Sequence, residues 1–186
     1  MYTLTPLIEL SGKTLGIIGM GSIGQAVAKI AQAFDMNVVF YNRSAKPHVE
    51  TETCKQVNLD EVLAQSDFLT LHCPASAETE NLINENTLAR MKDGAFLINT
   101  ARGNLLDEAA VANALESGKL AGFGADVVRV EPMAADNPLR TAPNSIITPH
   151  VAWAAQDARK RMFSIIDGNI AGFVAGNPCN VVNNPA

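Results

Sequence analysis

Short apolar runs alternate with segments of helical periodicity along this chain, and the alternation predicts its fold class. We expect strands at residues 14–18, 37–41, 68–71, 95–98, 121–125 and 145–148. These runs are apolar on both faces, which is typical of parallel strands that helices cover on both sides. The pattern therefore predicts a doubly wound parallel sheet in three layers, αβα, within a single domain over residues 1–186.

Helix boundaries are marked by capping residues and by the spacing of apolar side chains. One helix begins near Asn84 and ends before Gly94, and another begins after Asp107 and ends before Gly118. A last helix is predicted over about residues 153–175. Its apolar stripe comprises Met162, Ile165, Ile166, Ile170 and Phe173. Residues 128–144 contain three prolines and no periodicity, which predicts a long loop of the kind that often carries function.

Three glycines at GxGxxG spacing lie between the first predicted strand and the first predicted helix. In a dinucleotide-binding turn, Gly19 permits the tight bend, Gly21 lets a pyrophosphate approach bare backbone, and Gly24 lets the helix pack closely on the sheet. Free N–H groups at the positive end of a helix that begins near Ser22 hold the phosphates. That helix carries apolar residues at helical period, namely Ile23, Val27, Ile30, Ala31 and Phe34. The sequence thus predicts a dinucleotide site on a Rossmann-like fold.

The end of the second predicted strand bears on which dinucleotide binds. In NAD-binding folds an acidic residue about 20 positions past the glycines accepts hydrogen bonds from the adenosine ribose. Asn42 stands at that place here, and Arg43 and Ser44 follow it. With no carboxylate to repel a 2′-phosphate, and a guanidinium and a hydroxyl to bind it, the site leans towards NADP over NAD. Arg43 as an ordinary solvated cation is the alternative, so both cofactors stay open.

Four ionisable side chains follow predicted strands, at the edge where a doubly wound sheet forms its ligand crevice. They are Arg102, Asp126, Glu131 and His150. Reduction of a 2-keto acid needs a cation for the carboxylate, a proton donor for the alkoxide, and a hydride from a nicotinamide. Arg102 suits the first role, and His150, with Glu131 as its partner, suits the second. Asp126 would accept a hydrogen bond from the carboxamide. Taken alone, each residue is more often part of a surface ion pair or a turn, so the prediction depends on the set.

Composition and charge restrict the class of partner. The formal net charge is −5, and Lys and Arg are spread thinly, which argues against a nucleic-acid or anionic membrane surface. No apolar run reaches the length of a membrane span, so a cytoplasmic location is expected. Cys54, Cys73 and Cys179 lack ligand-like spacing, which predicts reduced thiols and no metal site. The expected partner is a small molecule.

In their order along the chain, these motifs closely resemble those of the D-isomer-specific 2-hydroxyacid dehydrogenases, from Gly12 to Asn183. The resemblance is carried by Gly19 to Gly24, Leu71-His-Cys-Pro74, Met91-Lys-Asp-Gly94, Asn99-Thr-Ala-Arg102-Gly103, Asp126, Glu131-Pro132 and Pro149-His150. The His150-Val-Ala-Trp153 signature is most similar to the glycerate dehydrogenase or hydroxypyruvate reductase branch.

Residue roles follow from the resemblance at matching positions. It implies that Arg102 is the substrate arginine and that Glu131 and His150 form the proton relay, with Arg102 and His150 also beside the cofactor. Further cofactor positions implied are Thr100, Ala101 and Asp126 on the nicotinamide side, and Ser22, Ile23, Cys73 and Pro74 at the pyrophosphate and adenosine.

The activity that the resemblance implies is hydride transfer between NAD(P)H and a small 2-keto acid such as hydroxypyruvate. Family members carry a substrate lobe of roughly a hundred residues ahead of this domain, so we expect this chain alone to bind cofactor but turn over poorly. Members pair through this domain, and a homodimer is among the assemblies that the resemblance allows. A non-catalytic dinucleotide-sensing or oligomerisation module of the corepressor type is the alternative. Glu131 disfavours the formate branch, which typically has glutamine there.

Overall fold

The computed structural model describes residues 7–183, in which seven parallel strands form one sheet. The strands are β1 (Thr14–Ile18), β2 (Asn37–Tyr41), β3 (Cys54–Gln56), β4 (Phe68–Leu71), β5 (Ala95–Asn99), β6 (Leu120–Ala125) and β7 (Ser145–Ile147). Their order is β3-β2-β1-β4-β5-β6-β7, so the direction of winding reverses between β1 and β4. The doubly wound parallel sheet is confirmed, and the six predicted strands match to within one residue at each end.

Five α-helices lie within the described range. They are α1 (Ser22–Ala33), α2 (Leu59–Gln65), α3 (Glu85–Arg90), α4 (Glu108–Glu116) and α5 (Gln156–Val174). The chain divides into two compact units, one ending at Pro149 and the other beginning at His150. The first unit holds the sheet and α1 to α4, and the second holds α5.

The apolar core consists of two clusters, one on each face of the sheet, because successive side chains along a strand point to opposite sides. On one face, Ile17 of β1 and Phe40 of β2 pack with Ala28 and Ala31 of α1. The other face packs against α2, α3 and α4, and its cluster includes Ile18, Val39, Leu63, Leu69, Leu88, Leu97, Val111 and Leu115. The three layers predicted from the sequence are therefore present.

Helix α1 lies where the sequence predicted it, but only Val27 and Ala31 of its five predicted apolar residues pack against the core. Gly24, Ala28 and Ala31 are buried. The larger side chains Ile23, Ile30 and Phe34 are each more than half exposed. Small residues line the buried face because the helix sits close to β1 and β2, where bulky side chains have no room.

The start signals of two helices are confirmed in atomic detail. The Asn84 side chain accepts hydrogen bonds from the backbone N–H groups of Asn86 and Thr87, and Asp107 caps α4 by accepting from Ala110. Gly118 follows α4 with a φ of +76°, which is the left-handed conformation that commonly ends a helix. Residues 128–144 contain only a short 3₁₀ turn, Pro138–Arg140, apart from irregular backbone.

Strand β3 and helix α2 were not predicted. β3 is three residues long at the edge of the sheet, and only Cys54 is buried, so it carries no measurable alternation. Helix α2 has seven residues, but it does begin with a full capping box, in which Asn58 and Glu61 exchange side-chain to backbone hydrogen bonds. The pair Asn58 and Glu61, three residues apart, is the sequence signal for the start of this helix.

The second unit contains α5, which begins at Gln156 and not near Trp153. Residues 151–154 form a turn, closed by a hydrogen bond from the Ala154 N–H to the Val151 carbonyl. The predicted apolar stripe of α5 is exposed, from 41% at Met162 to 74% at Phe173. After the helix, the Asn180 side-chain amide donates to Asn169 Oδ1, which holds the following segment against α5.

Asp67 directly precedes β4 and links the amino ends of β1, β4 and β5. Its carboxylate accepts hydrogen bonds from the Thr14 N–H at 2.8 Å and from Lys92 Nζ at 2.9 Å. Burial acts to raise the pKa of Asp67, but hydrogen bonds from Lys92 and Thr14 and the charges of Lys92 and Lys13 hold it below its ordinary value. The ionised form of Asp67 is therefore the one that stabilises the fold.

Asp67→Asn should lower the free energy of unfolding at pH 7 by about 1–3 kcal/mol, the usual cost of weakening hydrogen bonds to a charged group. A carboxyl whose pKa is depressed by folding stabilises the native state above its unfolded pKa, near 4, and loses that effect as the pH falls through the folded value. The difference between wild type and variant should therefore shrink below about pH 4. Urea unfolding from pH 7 to pH 3 measures it.

Asp93→Asn is the matched control for this experiment. Asp93 accepts a hydrogen bond from Lys119 at 2.7 Å, but its side chain is 90% exposed. Exposed ion pairs contribute little to stability, so we expect a clearly smaller loss than at Asp67. Equal losses in the two variants, or a difference that does not change with pH, would contradict the role given to Asp67.

Candidate functional site

A groove of about 430 Å³ opens at the carboxyl ends of β1, β2 and β4. Seven residues predicted to contact a cofactor line it: Gly19, Gly21, Asn42, Arg43, Ser44, Cys73 and Pro74. The groove lies where the winding of the sheet reverses, which is the place where open α/β sheets bind their ligands. The structure thus brings together residues that are up to 55 positions apart in the sequence.

The glycine turn beside this groove has the steric demands that its spacing predicted. Gly19 has a φ of +99°, and a Cβ there would lie 2.5 Å from the backbone nitrogen of Cys73. A Cβ on Gly24 would lie 2.3 Å from the Gly19 carbonyl oxygen. Gly21 differs, because a Cβ on it would meet no atom within 4 Å. Two of the glycines are therefore required by packing, and the third faces open space at the groove.

The amino end of α1 leaves its first backbone N–H groups without a side-chain cap. Gly21 is the N-cap, no side chain caps the helix, and the first turn holds no acidic residue. Ser22 and Ile23 in that turn are exposed. An uncapped helix start with exposed N–H groups and a positive dipole end suits a phosphate group. The residues present therefore fit the diphosphate of a dinucleotide.

Asn42 connects the glycine turn to the residues that follow β2. Its Oδ1 accepts a hydrogen bond from the Met20 N–H at 3.0 Å, and its Nδ2 donates to the Ser44 carbonyl at 2.9 Å and to Ser44 Oγ at 3.1 Å. A carboxylate at this position could accept from Met20 but could not donate to Ser44. The local structure therefore uses both ends of an amide, which explains how a neutral residue is accommodated here.

The opposite wall of the groove is formed by the segment after β4, most of which the sequence analysis missed. Four further lining residues are Ser76, Glu78, Thr79 and Leu82. Thr79 Oγ1 donates to the Pro74 carbonyl at 2.8 Å and accepts from the Ser76 N–H at 2.8 Å, so this wall has a defined shape. Its place directly after the carboxyl end of a strand was the signal that could have identified it.

Two titratable side chains in the same wall are held neutral by burial. Desolvation lowers the pKa of His72, whose Nε2 lies 3.0 Å from Thr70 Oγ1. Burial also raises the pKa of the Cys73 thiol, and its own backbone hydrogen bond opposes the rise. At neutral pH this part of the groove therefore presents an imidazole and a thiol without charge.

The residues predicted for the nicotinamide side follow β5 on the same edge of the sheet. Asn99 is fully buried; its Oδ1 accepts from the Ala101 N–H and its Nδ2 donates to the Arg102 carbonyl. Thr100 and Arg102 are exposed, and Arg102 Nη1 donates to the Ala101 carbonyl at 2.6 Å. The buried Asn99 amide thus fixes the backbone of a short turn that presents Arg102 outwards.

Gly103 presses this turn against the loop that follows β6. A Cβ on Gly103 would lie 2.0 Å from the Val128 carbonyl carbon and 2.3 Å from the Arg129 nitrogen. Arg129 then anchors the loop by donating hydrogen bonds to Glu80, to Asn81 and to the Leu106 carbonyl. Arg102 and the 128–131 segment are therefore neighbours because a glycine permits direct backbone contact.

Asp126 and Glu131 also belong to this edge. Asp126 is buried at the end of β6, its N–H donates to the Asn99 carbonyl, and its Oδ1 accepts from Thr148 Oγ1. Glu131 is exposed and its Oε1 accepts from the Val128 N–H at 3.3 Å. Three of the four ionisable residues predicted for the ligand crevice thus lie in the first unit, after the carboxyl ends of β5 and β6. They are Arg102, Asp126 and Glu131.

His150 is the first residue of the second unit and has a φ of +53°. It follows β7 by two residues of chain, at Thr148 and Pro149. Its meeting with Arg102 and Glu131 in one catalytic site stays a prediction. The positive φ is uncommon for a residue with a side chain and often marks functional positions.

Other classes of site find no support among residues 7–183. No set of three or more His, Cys, Asp or Glu side chains in this range is placed to hold a metal ion. In the same part of the chain, no helix combines the length and the apolar character that a membrane crossing requires. Cys54, Cys73 and Cys179 are all free thiols.

Comparison with known proteins agrees with this geometry. Residues 2–152 match the family described as D-isomer specific 2-hydroxyacid dehydrogenase, NAD binding domain. The chain is 51% identical over 178 residues to a hydroxypyruvate reductase of Blautia hydrogenotrophica, covering 96% of this chain and 55% of that protein. It is 44% identical over 179 residues to a glycerate dehydrogenase of Methylorubrum extorquens, covering 95% and 55%.

Among solved structures, a D-lactate dehydrogenase of Lactobacillus jensenii with NAD⁺ superposes with a TM-score of 0.87 at 34% identity. The match covers 96% of this chain and 57% of that one. The chain therefore spans about half the length of the relatives that it matches.

Proposed function

This chain belongs to the D-isomer-specific 2-hydroxyacid dehydrogenases, as their NAD-binding domain, and we propose that its protein transfers a hydride between NAD(P)H and a small 2-keto acid of the hydroxypyruvate class. The observation that carries the proposal is the uncapped start of α1 beside a groove at the reversal point of the sheet. Arg102, Asp126 and Glu131 on the adjoining strand ends supply chemistry that an acid substrate requires.

A bound dinucleotide supplies or accepts the hydride. The first turn of α1, at Gly21, Ser22 and Ile23, would hold its diphosphate through backbone N–H groups. Around it we assign Gly19, Gly24, Cys73 and Pro74 to the diphosphate and adenosine, Asn42, Arg43 and Ser44 to the ribose, and Thr100, Ala101 and Asp126 to the nicotinamide. The name of the family supports NAD at this site.

The substrate is handled by three side chains in this proposal. The exposed Arg102 guanidinium binds the substrate carboxylate through its planar pair of donors and polarises the adjoining carbonyl. His150 donates a proton to the carbonyl oxygen as it becomes an alkoxide, and Glu131 orients the imidazole. The two relatives named above act, by their names, on hydroxypyruvate or glycerate, which supports the same class of substrate here.

The finer cofactor preference is a separate part of the proposal. Asn42 is neutral and Arg43 and Ser44 lie on the same wall of the groove, which favours a 2′-phosphate and hence NADP. Pairing of two copies through this domain and a cytoplasmic location stay predictions from the sequence and the family.

Titration of the 186-residue chain with NADH, followed by calorimetry or by NADH fluorescence, should show saturable binding at one site. ADP-ribose should compete, because it carries the same diphosphate and adenosine groups. Addition of hydroxypyruvate should oxidise NADH only slowly, since the chain spans about half the length of its relatives. Absence of NADH binding by folded protein would contradict the proposed function. Turnover equal to that of a full-length relative would refute the expected slow rate alone.

A further inference from the structure

Glu78 faces Arg43 across the lip of the groove, and we propose that it is a specificity-determining residue for the cofactor. Its carboxylate pairs with the Arg43 guanidinium and so lowers the affinity of the groove for a ribose 2′-phosphate. Glu78 thereby limits the preference for NADPH that Arg43 would otherwise create. This inference rests on the proposed function, because it concerns the same cofactor site.

The pair joins the two walls of the groove. Arg43 follows β2, Glu78 lies in the segment after β4, and Arg43 Nη1 is 3.7 Å from Glu78 Oε2. Among the described residues that line the groove, Arg43 is the one cation and Glu78 the one carboxylate. Burial lowers the pKa of His72, so the imidazole adds no charge at neutral pH. The formal charge of the lip is therefore set by these two side chains, and it sums to zero.

The neutral Asn42 at the end of β2 makes the Glu78 carboxylate more important for cofactor choice. Many dinucleotide-binding folds have an acidic residue at the end of β2 instead. In such folds that acid repels a 2′-phosphate directly. The Asn42 amide is neutral, and both of its ends are engaged, with Met20 and with Ser44. The negative charge near the ribose position then comes from the opposite wall, at Glu78.

A 2′-phosphate carries about −1.5 to −2 charges at neutral pH, as other phosphate monoesters do. To bind Arg43 it must compete with Glu78, and it then stands close to a second negative charge. NADH has only a 2′-hydroxyl and meets neither cost. Since the Arg43 and Glu78 side chains are 89% and 75% exposed, the pair itself contributes little to stability. Its effect should appear in cofactor selectivity.

The test compares affinities for NADPH and NADH, measured by fluorescence titration, in the unaltered chain and in Glu78→Gln. At low salt, removal of the charge should raise the NADPH to NADH affinity ratio by about threefold to tenfold, the scale of one or two partly screened charges at short range. The gain should shrink at high salt. Glu116→Gln is the matched control, because Glu116 is exposed at the end of α4, outside the groove lining, and it loses the same charge.

The Arg43→Ala variant distinguishes two effects of Glu78. One is competition with the 2′-phosphate for Arg43, and the other is direct repulsion of the phosphate. The variant should lower the affinity for NADPH more than the affinity for NADH, and remove more than half of the gain from Glu78→Gln in the double variant. The inference is overturned if Glu78→Gln behaves as Glu116→Gln does, or if its gain is undiminished without Arg43. If the unaltered chain fails to bind NADH at all, the proposed function fails and this inference with it.

Discussion

A Gly19→Ala variant is expected to lose about 2–5 kcal/mol of unfolding free energy and most of its affinity for NADH. The loss combines a φ of +99°, which costs a residue with a side chain about 1–3 kcal/mol, with overpacking of similar cost. The added methyl would lie 2.5 Å from the Cys73 nitrogen and 2.7 Å from the His72 carbonyl carbon. These are backbone atoms, so the groove wall must move. Urea unfolding and NADH titration measure the two effects.

Gly21→Ala is the matched control, two residues further along the same turn. Its φ of −80° is allowed for any residue, and its Cβ would meet no atom within 4 Å. A poorer N-cap and a less flexible unfolded chain should roughly offset each other, leaving stability within about 1 kcal/mol. NADH affinity should still fall about tenfold or more, because the methyl stands where the diphosphate would approach. Full NADH affinity in Gly21→Ala would place the diphosphate elsewhere.

Gly103→Ala should be the most damaging change at the nicotinamide side, with a loss of about 3 kcal/mol or more. Its methyl would overlap the Val128 carbonyl and the Arg129 nitrogen, at 2.0 to 2.3 Å. No rotation of a side chain relieves an overlap with backbone, so the Arg102 turn and the 128–131 loop must separate. The free energy of unfolding in urea checks the expected loss.

Gly124→Ala offers the comparison for this variant. Gly124 lies in β6, close in sequence to the same loop, and a Cβ there would meet no atom within 4 Å. Alanine in a strand interior is usually no worse than glycine, so stability should change by about 1 kcal/mol at most. Equal stabilities of the Gly103 and Gly124 variants would contradict the close contact between the two loops.

The parts of the fold that could be predicted from the sequence are those with strong local signals. The glycine turn combined spacing with a strand before it and a helix after it, and the steric roles of Gly19 and Gly24 followed. Asn84 and Asp107 were identified as caps because such side chains satisfy the first N–H groups of a helix. Strand β3 has one buried residue in three, and so it gave no pattern to detect.

The candidate site was only partly predictable, for a different reason. Types of residue at strand ends indicated Arg102, Asp126 and Glu131, but nothing local in the sequence says that Gly103 touches Val128. The same holds for Glu78, because its pairing with Arg43 depends on two segments that fold against each other over 35 positions of chain. Spacing within a segment is readable from sequence, whereas contact between loops is set by the assembled sheet.

Asp67 and Lys92, joined at the amino ends of the strands, lie at the rim opposite to the groove. Distant substitutions without shared partners combine almost additively. Substitutions of side chains at the groove should therefore leave unchanged the Asp67 contacts that align the strands at the opposite end of the sheet. A change of cofactor preference in this fold therefore needs little compensation elsewhere, and variants of the exposed side chains at positions 43 and 78 can be combined in redesign without first stabilising the protein.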